Sequence, residues 1–181
     1  MKRQTGFTLT EMMVALAIVA ILMTIAGPSY QYITNSNRMS AEVNALLGDM
    51  EYAREEAIKE GQNVTVCSST TGTTCAASPN WQTGWIVFSN TNPPAAQPAA
   101  GVLRIGNAFG GSDTFVSSPN TVTAITFNRE GFATAAGFVA TTVVLHVATG
   151  ASQWTKCLYI SAQGMMQAET IANDPSGTCT S

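Results

Sequence analysis

Charge and histidine are scarce in this chain: Asp, Glu, Lys and Arg make up 10% of it, and His146 is its one histidine. A single imidazole rules out H-E-x-x-H zinc chemistry, and neither a G-x-S-x-G elbow nor a phosphate-cradling glycine loop occurs. His146 falls in Val143-Val144-Leu145-His146-Val147, where strand alternation sets it opposite the apolar face of Val143, Leu145 and Val147. The expectation is therefore no enzyme, no cofactor and no small-molecule substrate. Cations are few as well. The formal charge is −3, and losing Lys2 and Arg3 would bring it to −5, a poor balance for a phosphate-rich partner. The four cysteines, Cys67, Cys75, Cys157 and Cys179, lack short C-x-x-C pairs, so no metal site is expected. Internal repeats are also absent.

What is there begins at Gly6-Phe7-Thr8-Leu9-Thr10-Glu11. Phe7 to Ala26 is an apolar run of about 20 residues, the length a helix needs to cross a hydrocarbon core. Lys2 and Arg3 stop abruptly before it, and one carboxylate, Glu11, lies inside it. A lone acid at that depth costs a few kcal/mol or more unless it is paired, which marks it as functional. Cutting between Gly6 and Phe7 would create an α-ammonium one helical turn away. A secretory signal peptide is too short for this run, and Thr24-Ile25-Ala26 is a poor small-x-small site with Pro28 close behind. A simple anchor has no use for Glu11, and a buried core helix does not explain the basic leader.

The leader, the Gly-Phe junction and the Thr-Leu-Thr-Glu start of the apolar helix together resemble a class III prepilin sequence, shared by type IV pilins and type II secretion pseudopilins. The resemblance implies cleavage after Gly6 by a prepilin peptidase and N-methylation of Phe7. It also implies a role for Glu11 in meeting a neighbour's N-terminus during assembly. Thr10 departs from the family, which usually has an aliphatic residue there.

Down the chain, Gly27-Pro28 is expected to kink or loosen the helix, since proline has no N–H and clashes with the preceding turn. From Tyr30 to Glu60 the pattern becomes amphipathic, with Val43, Leu47, Met50, Ala53 and Ala57 as the apolar stripe and Gly61 as the C-cap. Glu51, Glu55, Glu56 and Glu60 read as a solvated face with Arg54 and Lys59 interleaved. The period then changes from helix to strand, over 64–67, 85–88, 102–105, 122–127, 142–147 and 157–160. The expected loops are 68–74, 90–101 and a turn at 128–131, and 167–181 reads as an irregular tail. Four cysteines allow three connectivities in an exported chain. Cys67–Cys75 with Cys157–Cys179 is favoured because each closes a local loop, contributing on the order of 2–4 kcal/mol.

Tyr52-Ala53-Arg54-Glu55-Glu56-Ala57-Ile58-Lys59 leading into Val64-x-Val66-Cys67 resembles the GspH/FimT/FimU branch. So do Trp81-x-x-Gly84-Trp85-x-Val87-Phe88 and Phe127-x-x-x-Gly131. The implied fold is α+β, a pilin-like lollipop with a long N-terminal helix packed on antiparallel sheets. Its parts would be a leader (1–6), a transmembrane and filament-core segment (7–27), the amphipathic half of the helix (28–61) and a periplasmic β-rich domain (62–181). Trp81, Trp85, Phe88 and Phe127 are expected to be core. The DNA-binding members of the branch carry Gly-Arg-x-Arg near the C-terminus, and the corresponding Gly164-Met165-Met166-Gln167 lacks both arginines. The expected function is that of a minor pilin that initiates and caps a type IV pilus at its tip. A pseudopilin of type II secretion is the first alternative, and a DNA-binding competence pilin the second. Expected partners are the inner membrane, the prepilin peptidase and other minor and major pilins or pseudopilins, with nucleic acid unlikely.

Overall fold

In a computed structural model, the described residues are 6–90, 101–110, 113–118, 120–134, 140–146, 155–170 and 179. The chain divides into two compact units, Met1–Arg38 and Met39–Ser181. A single helix, α1 (Leu9–Glu60), contributes to both. It runs through Gly27 and Pro28 without a break in helical assignment, although Pro28 cannot donate to the carbonyl one turn back. Two threonines along it turn their hydroxyls onto the backbone. Thr24 Oγ1 donates to Ile21 O at 2.7 Å and Thr34 Oγ1 to Tyr30 O at 2.8 Å, so neither hydroxyl needs water.

The larger unit is an α+β fold built from the last six or so turns of α1 and two antiparallel sheets. The first sheet contains β1 (Asn63–Ser68), β2 (Trp85–Asn90), β3 (Val102–Gly106), β5 (Ala124–Phe127) and β6 (Ala133–Thr134), in the order β3-β2-β1-β5-β6. The second contains β4 (Thr114–Ser118), β7 (Ala140–His146), β8 (Lys156–Ser161) and β9 (Met166–Thr170), in the order β4-β7-β8-β9. Gly61, with φ of +66°, ends α1 in the left-handed conformation that a glycine cap supplies.

One core joins the helix to both sheets. Met39, Val43, Leu46, Met50, Ala53 and Ala57 recur every three or four residues and are buried against Val64, Val66, Trp85, Val87, Ile125 and Phe127 of the first sheet. Phe115, Leu158 and Ile160 come to the same core from the second. The sequence pattern placed Leu47 in this stripe. The structure puts Leu46 there and leaves Leu47 half-buried at the margin, because the face the sheets cover steps 4-3-4-3-4 from Met39 and so passes through 46. Trp81, Trp85, Phe88 and Phe127 are all buried, as expected of core residues, but Phe88 belongs to a separate small cluster with Ile86 and Cys67. Strand alternation explains that split: Trp85 and Val87 face the helix, and Ile86 and Phe88 face away.

Polar contacts pin helix to strand. Trp85 Nε1 donates to Asp49 Oδ2 at 2.8 Å, and Arg104 Nη1 donates to Asp49 Oδ1 at 3.1 Å. The Arg104 guanidinium also lies 3.8 Å above the Tyr52 ring, a cation–π contact. Gly106, paired with Trp85 across β2 and β3, must be glycine: a Cβ there would fall 2.0 Å from the indole.

Three strands differ from the pattern-based reading. β4 and the two-residue β6 lie where no strand was expected, and β9 replaces the start of the tail taken as irregular from Gln167. β9 pairs with β8 through Ile160↔Met166 and Tyr159↔Gln167, so backbone pairing overrides its polar composition. The 90–101 loop, beyond Asn90 and Gly101, and the rest of the tail other than Cys179 lie outside the described residues.

Candidate functional site

The site is the start of α1. Gly6, Phe7 and Thr8 precede the helix, and Phe7 is 84% exposed. Thr8 is the residue just before the first helical position, and Glu11 is the third residue inside. The two satisfy each other. Thr8 N donates to Glu11 Oε2 at 2.9 Å, Thr8 Oγ1 donates to the same oxygen at 2.9 Å, and Glu11 N donates to Thr8 Oγ1 at 3.3 Å. This is a capping box, in which the otherwise orphaned N–H groups of a helix start find partners in reciprocal side chains. The first backbone bond, Met12 N to Thr8 O at 3.3 Å, follows directly. Thr8-x-x-Glu11 was visible in the sequence as a capping signature, yet reading Glu11 only as a buried charge leaves Thr8 without a part.

The geometry fixes what Glu11 can do. Its carboxylate is held at the positive end of the helix dipole, one turn from the peptide bond between Gly6 and Phe7. Phe7, Thr10, Glu11, Val14, Ala15 and Ile18 lie along one exposed face of this segment. Beyond it the helix is long and apolar enough to cross a membrane, and none of its most apolar stretch is buried within the chain. Gly27 is exposed, and a Cβ there would meet nothing within 4 Å.

The other predicted site residues lie in the larger unit. Cys67 and Cys75 are bridged with Cα atoms 5.6 Å apart, and Cys157 and Cys179 with Cα atoms 5.8 Å apart. Among the described residues no cluster of His, Cys, Asp and Glu could hold a metal ion. His146 ends β7, whose side chains lie outside the described set. The cations that could form a phosphate-binding patch are dispersed. Arg104 is paired with Asp49 and Arg129 with Glu130, while Lys156 lines a small pocket with Glu169, Ser40 and Asn44.

Residues 42–164 match the family model described as Type II transport protein GspH. The chain belongs to the GspH family. Residues 1–27 match the prokaryotic N-terminal methylation motif, which includes Gly6, Phe7 and Glu11. A fimbrial protein of Pseudomonas aeruginosa is 41% identical over 64 residues, or 35% of this chain and 41% of the relative. The type IV major alpha-pilin of Moraxella bovis is 40% identical over 85 residues, or 40% of this chain and 54% of that pilin. The GspH-family chain thus spans about half the length, or less, of these curated relatives. In fold it is similar to the Pseudomonas aeruginosa type IV minor pilin FimU, with a TM-score of 0.60 and 20% identity over 77% of this chain and 94% of that one.

Proposed function

We propose that this GspH-family chain is a minor pilin, a structural subunit that helps initiate and cap a type IV pilus at its tip. The observation that carries the proposal is the capping box, which holds Glu11 at the head of an uncovered apolar helix inside the methylation motif. In this reading the precursor sits in the bacterial inner membrane, with its basic leader in the cytoplasm and its β-rich domain in the periplasm. A prepilin peptidase cuts between Gly6 and Phe7 and methylates the new N-terminus. The Phe7 ammonium of one subunit then meets Glu11 of the next inside a low-dielectric bundle. Their attraction is strong there and is offset by desolvation, so the pair acts mainly on axial register. The bonds from Thr8 keep the acceptor oxygen oriented before the partner arrives. Gly27 and Pro28 are where the stem adjusts when subunits pack.

The likeness to FimU and to fimbrial proteins supports a pilus; the description of the matching family supports a second reading, a minor pseudopilin of a type II secretion system. DNA binding, as a competence pilin, has less support, because Arg104 and Arg129 are engaged with acids and no arginine flanks Gly164. Glu11→Ala tests the proposal. The variant is expected to be processed, shown by mass spectrometry of its N-terminus, and to enter sheared filaments at least about tenfold less, since it leaves a buried ammonium unpaired. Normal incorporation would overturn it.

A further inference from the structure

Two glycine turns meet at the C-terminal end of α1. Gly131 and Gly164 have φ of +81° and +76°, and a Cβ on Gly164 would fall 2.1 Å from Gly131 O. A Cβ on Gly131 would lie 3.0 Å from Ile58 Cδ1. Only glycine allows the two turns and the helix to close this tightly. The turns are also locked: Arg54 Nε donates to Gly131 O at 3.0 Å, Ala133 N to Ala162 O at 3.0 Å, and Met165 N to Ser161 Oγ at 3.1 Å. What this rigid junction presents outward is apolar. Phe132 and Met165, the residues after the two glycines, are 48% and 59% exposed, and Ile58, whose Cδ1 lies against Gly131, is 49% exposed. Large apolar side chains gathered on ordered backbone cost little entropy to bury, and aromatic and methionine anchors are typical of interface centres.

The surrounding charge selects the occupant. Glu51 and Glu55 are exposed on the helix face that carries Ile58, one turn apart from one another and in line with it. The nearby cations are engaged: Lys59 with Glu56 and Glu60, Arg129 with Glu130, and Arg54 with the Gly131 carbonyl. The edge is therefore acidic, which disfavours anionic lipid and nucleic acid. A second copy is a poor match too. Among the described residues its remaining cations are Arg38, Arg104 and Lys156: Arg104 is paired with Asp49, Lys156 lines a pocket with Glu169, and Arg38 is half-buried. We infer that Ile58, Phe132 and Met165 form a docking surface for a different protein subunit, one presenting an apolar projection flanked by lysine or arginine. This rests on the assembly reading above and names the surface that reading leaves open.

The test places a photoreactive amino acid at position 165 of the full-length chain in cells that assemble the filament, with position 73 in the Cys67–Cys75 loop as the control. Crosslinking at 165 is expected to exceed that at 73 by about tenfold. It should reach a different polypeptide, at a peptide bearing flanking Lys or Arg. Glu51→Lys with Glu55→Lys should lower the yield by about tenfold, whereas Phe132→Tyr should preserve it. Crosslinks to a second copy, to lipid or to nucleic acid would overturn the proposal, as would a yield no higher than at 73. Mass spectrometry of the same material separates the two readings. A chain cleaved before Phe7 without the crosslink overturns the surface alone; an uncleaved chain with the crosslink overturns the assembly reading alone; an uncleaved chain without it overturns both.

Discussion

The two ends of α1 are apolar in opposite ways. Near the start, Leu9, Leu16, Ile21 and Ile25 are all more than half exposed; past Arg38, Met39, Leu46 and Met50 are 0% exposed. The same helix therefore meets two different fates. Its later turns are amphipathic and bury one stripe on the sheets. Its earlier turns are apolar all round, and among the described residues none of that stretch is buried. An apolar surface of that extent has to be covered by lipid or by other such helices. The comparison teaches that the domain is stabilised by its own contacts while the stem is completed by other molecules. Each can then be perturbed without the other.

The largest expected effect strikes the domain. Trp85→Ala removes a buried indole and the 2.8 Å bond to Asp49, leaving a cavity between α1 and β2. A loss of about 3–5 kcal/mol is expected in urea unfolding. Cleavage between Gly6 and Phe7 should be unchanged. A variant that unfolds readily and is also no longer cleaved would break the separation between the two regions.

Next comes the tail. Cys157→Ser with Cys179→Ser opens a loop with a sequence separation of 22, and about 2–4 kcal/mol of stability should be lost. Cys67→Ser with Cys75→Ser opens one of only 8 and is expected to cost less. Comparing the two double variants by thermal unfolding sharpens the picture of how the domain closes on itself. Equal losses would mean that chain entropy is not what the bridges control.

How much of this was legible follows from which residues carry local signals. The stem could be read because a 20-residue apolar run, a basic leader and one acid are all local facts. The helix stripe was legible except at Leu46 and Leu47, two adjacent leucines whose choice depends on the facing sheets. β1, β2 and β8 could be read because Val64-x-Val66, Trp85-x-Val87 and Leu158-x-Ile160 alternate. β9 could not, since Met166 to Thr170 is mostly polar and is a strand only because β8 offers it an edge. The junction of Gly131 and Gly164 was likewise hidden. A glycine's spacing does not say which distant carbonyl it allows to come close. Thr8-x-x-Glu11 is a local capping signature, but a lone acid in an apolar run is the stronger signal and says nothing of the cap beside it.

The smallest expected effect contrasts two acids. In the 128–131 turn, Arg129 Nε donates to Glu130 Oε1 at 2.8 Å, and that bond holds the Glu130 carboxyl below its ordinary value of 4.5. The folded state thus binds this proton less readily than the unfolded state. Its contribution is complete above about pH 4.5 and is lost as the pH falls through the lowered value. Both side chains are in water, where such pairs contribute little and salt screens them. Glu130→Gln should therefore leave unfolding at neutral pH nearly unchanged, flatten only the acid limb below about pH 4.5, and lose even that difference in high salt. Incorporation into filaments should be unaffected, whereas Glu11→Ala should lower it at least about tenfold. If the two acids exchanged these phenotypes, the distinction between a domain completed by its own contacts and a stem completed by its neighbours would fail at the residues where it is most exposed to test.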